Sequence, residues 1–116
     1  MSKKIVVVTD SSAYLPAEMI QDLPIAVIPL WLIWDEESYQ DGIDIHPAEF
    51  YRRLKDSKTL PTSSQPSAKE FSDFFKRVSQ DADVIVNVLV SAQISGTIAS
   101  AQAAMAACAL AIVPLI

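Results

Sequence analysis

Hydroxyl side chains cluster in three places along this chain. Thr9-Asp10-Ser11-Ser12, Thr62-Ser63-Ser64-Gln65 and Ser91-Ala92-Gln93-Ile94-Ser95-Gly96-Thr97 each stand just before a segment of helical character. The first and third also follow apolar runs of strand character. The start of a helix presents unpaired amide donors and the positive end of its dipole. Hydroxyls beside such donors hydrogen-bond a carboxylate or phosphate without a permanent cation, so anion binding is the chemistry this pattern offers. Gly96 leaves room for close approach of backbone to a ligand. The same residue types are the preferred helix N-caps, and capping alone accounts for each cluster taken singly.

Catalysis finds less support. A serine nucleophile needs a base within hydrogen-bond reach and a group that orients the base. The single histidine, His46, directly precedes Pro47 and reads as a polar helix start. The two glycines, Gly42 and Gly96, form neither a Gly-x-Ser-x-Gly elbow nor a Gly-rich phosphate loop. Asp10, at a strand end, stands where a small phosphotransferase or hydrolase would carry its aspartate, but Ser12 occupies the place of a second acid. Asp10 therefore reads as a cap that fixes its loop. One cysteine, Cys108, and one histidine exclude a zinc site built from Cys and His. No metal and no cofactor is expected. Cys108 lies in an alanine-rich apolar run, as a small buried hydrophobe in a reducing, cytoplasmic setting would.

These loops need a scaffold. Ile5-Val6-Val7-Val8 is β-branched without polar alternation, which suits a strand buried on both faces of a parallel sheet. A short helix is expected from Pro16 to about Leu23, then one strand from Ile25 to Trp34, with Pro29 arguing for an edge or a bulge. Asp35-Glu36-Glu37 reads as a turn, and Ser38 to Gln40 as a brief return. Asp41-Gly42 is a tight-turn signal, and Pro47 opens a helix carrying Phe50, Tyr51 and Leu54 on one face. Ser57 to Pro66 reads as a loop. Ser67 and Glu70 have capping-box spacing, and Phe71, Phe74, Phe75 and Val78 repeat at helical spacing as a core stripe. Asp83 to Val90 is a second buried-type strand. A helix from Thr97 to about Ala109 and a further strand from Ala111, interrupted by Pro114, complete the pattern. Strands alternating with helices give an α/β fold, a doubly wound parallel-type sheet with helices on both faces.

Composition narrows the partners. The chain has 116 residues, the size of one domain, and a formal net charge of -5. The sequence pI is about 4.6. A nucleic-acid footprint needs clustered Lys and Arg, and Lys3-Lys4 and Arg52-Arg53 are isolated pairs, so nucleic acid is excluded. The segment after Lys3-Lys4 turns polar at Thr9-Asp10, unlike a signal peptide. The apolar runs from Ile25 to Trp34 and from Ala103 to Ile116 fall short of a membrane span and each holds a proline. A soluble protein is expected. Hydrophobic residues nonetheless make up 51%, which suits either a sheet covered on both faces or an apolar surface awaiting a partner.

Several blocks together resemble one family. Lys4-Ile-Val-Val-Val-Thr-Asp-Ser-Ser-Ala13 resembles the opening of DegV proteins, the bacterial fatty-acid-binding family. Ile28-Pro29-Leu30, Tyr39 to Asp44, Phe50-Tyr51, Leu60 to Ser67 and Ile94-Ser95-Gly96-Thr97 follow in order with similar spacing, reaching from about Lys4 to Ala106. The resemblance implies two α/β domains that enclose an acyl chain, and a lipid carrier for a separate fatty acid kinase rather than an enzyme. It implies that hydroxyls of the first domain hold the carboxylate together with residues of the second. Ser63 aligns with the family's contacting threonine and Ser95 with the serine of its Ser-Gly-Thr loop. Thr62, Ser64 and Gly96 complete the ligand-binding set.

Two departures bear on that expectation. Ser91-Ala92-Gln93 stands where the family commonly has Ser-Ser-Gly, and the match fades from Ala107. Residues 1–116 are thus expected to form an incomplete N-terminal domain, without the Arg and His of the second. Half of the cavity walls would then be missing, and self-association through an exposed apolar face is expected. The implied partners are a long-chain fatty acid and the kinase catalytic subunit. The alternatives are a truncated structural remnant without ligand competence, or a small phosphotransferase or hydrolase using Asp10.

Overall fold

Ile5–Asp10 forms β1, the strand on which the rest of the molecule is arranged. The structure, a computed structural model, describes residues 4–91, 93, 95–105 and 111–115. On one side β1 pairs in parallel with β2 (Ile25–Ile28), Val8 opposite Ala26. On the other it pairs in parallel with β6 (Val84–Val88), Val8 opposite Asn87. Strand β7 (Ala111–Leu115) extends β6 in parallel, giving the order β2-β1-β6-β7. Pro114 sits within β7, tolerable because an edge strand leaves half its amides unpaired.

Alternation along β1 decides which face is core. Val6 and Val8 point to the same side as Ile28 and Ile85, and all four are buried. This side is covered by α3 (Ala68–Ser79) and α4 (Thr97–Met105), which contribute Phe71, Phe74, Phe75, Ala101 and Ala104 to one apolar cluster. Helix α3 starts where its capping box directs. Ser67 Oγ accepts from Glu70 N (3.1 Å) and Glu70 Oε1 accepts from Ser67 N (3.1 Å). The other side of the sheet is less covered. Val7, Val27, Val84 and Val86 are half-buried, Ile5 and Val88 are exposed, and the short α1 (Ala17–Ile20) borders it near Val27.

The α/β architecture with a parallel sheet and helices is therefore present, and one prominent expectation is corrected. Ile25 to Trp34 is not one strand. It divides at Pro29-Leu30 into β2 and β3 (Trp31–Trp34), which belong to different sheets. Strand β3 is central to a three-stranded antiparallel sheet between β4 (Glu37–Gln40) and β5 (Thr62–Ser64). Asp35 and Glu36 form the two-residue hairpin between β3 and β4, both at positive φ. Helix α2 (Pro47–Asp56) packs on this second sheet, with Phe50 5.4 Å from Trp34 between ring centres and the Arg53 guanidinium 4.4 Å above Trp34. The Thr62-Ser63-Ser64 segment, expected as loop, is β5, with Ser63 opposite Leu32. The extension of α4 to Ala109 and the reading of Cys108 lie outside the described residues.

Candidate functional site

Because β1 and β6 are parallel, the loops that leave them open on the same edge of the sheet, where open α/β sheets bind ligands. The second sheet stands over that edge, and the junction leaves a cleft of about 430 Å³. Each neighbouring element supplies part of its wall. Ser12 and Tyr14 come from the loop after β1, Leu30, Trp31 and Leu32 from the chain into β3, and Phe50 and Tyr51 from α2. Ser63, Ser64 and Gln65 come from β5 and its exit, and Ser95 and Gly96 from the loop before α4.

Two distant hydroxyls thus face one space. Ser63 shares a sheet face with its cross-strand partner Leu32, and Leu32 shares that face with Trp34, which packs on α2. Ser95 is held by the start of α4. Its Oγ accepts from Thr97 N (3.2 Å) and pairs with Thr97 Oγ1 at 2.8 Å. When the buried Thr97 hydroxyl donates to Ser95, the Ser95 proton is left for a ligand. Ser64 also lines the cleft, half-buried. Thr62, expected in the ligand-binding set, does not line it and stands at the start of β5 opposite Ile33. Gly96 lines the cleft, yet what approaches it is protein. A Cβ added there would stand 3.1 Å from Gln65 Nε2, so the missing side chain lets the β5 exit close against α4.

Asp10 organises this edge and does not face the cleft. It is fully buried, and its Oδ2 accepts from Val90 N (2.7 Å) while Oδ1 accepts from Ser12 N (2.9 Å) and from the Ser12 hydroxyl. Ser11 Oγ accepts from Leu30 N (3.0 Å), tying the same loop to the entry of β3. Asp10 caps the 3₁₀ turn Ser11–Ala13, as its type and position suggest, and it spends its acceptors on backbone and Ser12. His46 is the N-cap of α2 without a side-chain capping bond. Among the described residues no group of three or more His, Cys, Asp or Glu is placed to hold a metal ion, and no helix is long and apolar enough to cross a membrane.

Trp31 shows how the cleft wall is fixed from outside. Its Nε1 donates to Glu70 Oε2 (2.8 Å) and Oε1 (3.1 Å), so one carboxylate both caps α3 and anchors a wall of the cleft. Glu70→Ala removes a charge-assisted bond and half of a capping box, and is expected to lower stability by about 2 kcal/mol in urea unfolding. Glu70→Gln keeps the acceptor geometry and is expected to lose less than half of that. An alanine variant as stable as the parent would show that neither contact contributes.

The electrostatics are spare. Asp41 is the one charged residue in the lining, and no cation faces the cleft among the described residues. Burial, then the negative charge of Asp41 and the nearby Tyr51, hold the Tyr14 phenol above its ordinary pKa, so it keeps its proton at neutral pH. Motif reading singled out Ser63, Ser64, Ser95 and Gly96 of this lining and missed Tyr14 and Trp31. Ser12 belonged to the first hydroxyl cluster, but the resemblance directed attention to the other two.

Comparison with known proteins follows the same lines. A family model described as DegV, an uncharacterised protein family, matches residues 4–113. A DegV domain-containing protein of Listeria innocua is 41% identical over 105 residues, 90% of this chain and 37% of its own length. Protein DegV of Bacillus subtilis is 39% identical over 100 residues, 86% of this chain and 36% of its own. The solved structure of DegV from Bacillus subtilis, described as a fatty acid binding protein, superposes with a TM-score of 0.88 at 36% identity, covering 98% of this chain and 40% of that one. A stearic acid-binding protein from Eubacterium ventriosum superposes with a TM-score of 0.85 at 28% identity, covering 99% and 41%. The chain thus spans about two fifths or less of the length of these relatives.

Proposed function

The chain belongs to the DegV family, and we propose that its cleft is the head-group half of a fatty-acid site. In this reading Ser63 and Ser95 donate hydrogen bonds to the carboxylate, Thr97 orients Ser95, and Ser64 and Gly96 shape the floor. The observation that carries it is that Ser63 of β5 and Ser95 of the loop before α4 line one cleft whose other walls include Leu30, Trp31, Leu32 and Phe50. Hydroxyls for the anion beside apolar walls for a chain are what an amphipathic acid requires. That two structural neighbours are described as binding fatty acid or stearic acid agrees with it.

The role that follows is carriage. A carboxylate held at a rim where Tyr14 and Tyr51 are 67% and 64% exposed is accessible to a second protein, which supports presentation to a separate kinase catalytic subunit in the cytoplasm. No cation lines the cleft among the described residues, so in this reading hydroxyl donors alone meet the carboxylate there. Affinity of this chain alone should accordingly be modest.

Stearate titrated into the full chain tests the assignment. The Ser63→Ala, Ser95→Ala double variant is expected to bind at least ~10-fold more weakly, two hydrogen bonds to a charged group being removed. Unchanged affinity in a folded double variant rejects the serine assignment, and no binding to the parent chain favours a remnant without ligand competence.

A further inference from the structure

In chain order β3, β4, α2 and β5 form one insertion between β2 and α3. The chain leaves the first sheet at Pro29-Leu30 and returns towards it at Gln65-Pro66. These two passages run side by side, because Trp31, the first residue of β3, pairs with Ser64, the last of β5. Two adjacent passages between a lobe and a body make one hinge. Ser63 rides on the lobe beside that hinge, whereas Ser95 stands on the body before α4. Their separation therefore depends on the hinge angle. Resting on the head-group reading above, we propose that the second sheet and α2 turn on this hinge to admit and release the acid, and that Glu70, acting through Trp31, is the positioning residue that holds the lobe closed.

Among the described residues, side-chain hydrogen bonds tie the lobe to the body at two points. Ser11 Oγ accepts from Leu30 N (3.0 Å), within the outward passage itself. Trp31 Nε1 donates to Glu70 Oε2 (2.8 Å) and Oε1 (3.1 Å), from the lobe to the first turn of α3. The second tie is charge-assisted and directional, so it fixes an angle as well as a distance. Glu70 does not line the cleft. Its Oε1 also accepts from Ser67 N (3.1 Å), so the start of α3 holds the carboxylate and the carboxylate holds the indole. A capping box needs no tryptophan, and a cleft wall needs no acid behind it. Pro29 restricts one passage and the fully buried Pro66 the other, which confines the motion to the few bonds next to β3 and β5. Losing the tie lowers the closed fraction, and apparent affinity falls with that fraction.

Isothermal titration of the full chain with stearate, with release followed by stopped-flow fluorescence, tests this. Glu70→Asp keeps the charge at the helix start but is one methylene short of the indole. It is expected to weaken stearate by ~5-fold, through faster release. Glu70→Gln keeps an acceptor at the same reach and is expected to bind within about twofold of the parent. Ser67→Ala breaks the other half of the capping box and leaves the tie in place. It is expected to lose stability yet keep stearate affinity within about twofold. In a Trp31→Phe chain, which has no tie to lose, adding Glu70→Asp is expected to change affinity by less than about twofold. Equal loss of affinity in Ser67→Ala and Glu70→Asp assigns the effect to helix stability and overturns the proposal. Parent-like binding by Glu70→Asp, its full effect persisting in the Trp31→Phe chain, or a parent chain that binds no stearate also overturns it. The head-group reading fails separately, when Ser63→Ala, Ser95→Ala leaves stearate unchanged while Glu70→Asp still weakens it.

Discussion

Replacing Asp10 by alanine is expected to lower stability by about 4 kcal/mol, the largest loss from any single polar residue of this fold. The carboxylate is fully buried and accepts from two backbone amides, Ser12 N and Val90 N, as well as from the Ser12 hydroxyl. Alanine leaves both part-buried amides without their acceptor, and each such loss costs about 1–3 kcal/mol. It also removes the cap of the turn that follows β1, worth about 0.5–2 kcal/mol. Relief from burying a carboxylate offsets part of this. Asparagine is an informative second variant. Its single carbonyl serves one of the two sides, while its amide group meets a donor on the other, so a loss of about half that of alanine is expected.

Location makes this more than a stability effect. The Asp10–Val90 bond joins the end of β1 to the chain immediately before the Ser91–Thr97 loop. With it broken, the Val90 amide should lose protection from hydrogen exchange, and Ser95 should lose its fixed place opposite Ser63. The measurement is urea unfolding of both variants with exchange at Val90. An alanine variant within about 0.5 kcal/mol of the parent would show the carboxylate to be dispensable.

Asp10 was legible in the sequence because its role is local. A short acid after a β-branched run and before two serines is a cap whatever lies elsewhere. The Ser67–Glu70 capping box and the Phe71, Phe74, Phe75 stripe are legible for the same reason, being set by spacing within one helix. What could not be read is set by pairing. Thr62-Ser63-Ser64 has the composition of a loop and becomes a strand only because β3 offers it a partner. Ile25 to Trp34 is apolar throughout, so no polar residue marks the transfer from one sheet to the other at Pro29-Leu30. The candidate site divides in the same way. Its hydroxyls were visible as motif residues, whereas Trp31 is brought to the cleft by the second sheet and Tyr14 by the turn that follows β1. Thr62 carries the same lesson in reverse, since it has the right chemistry at the end of β5 that does not reach the cleft.

Asn87→Leu is expected to raise stability by about 2 kcal/mol, the opposite sign and the clearest case of a residue at odds with its surroundings. Asn87 is 1% exposed, on the same face of β6 as Ile85, among the core side chains under α3 and α4. Neither its Oδ1 nor its Nδ2 has a hydrogen-bond partner among the described residues. A buried amide without partners costs about 1–3 kcal/mol, and leucine keeps the branched shape without that cost, its larger methyl groups offsetting part of the gain. A rise in melting temperature of roughly 5–15 °C follows for a domain of this size. Asn87→Ala separates the two contributions, because relief of the unpaired amide is then opposed by a cavity, and a net change near zero is expected. A leucine variant destabilised by more than about 1 kcal/mol would mean that Asn87 is satisfied by an ordered water, and that the polar group helps to hold the sheet. Asn87 does not line the cleft. The stabilised variant should therefore bind stearate as the parent does, which separates the core of this fold from its proposed site.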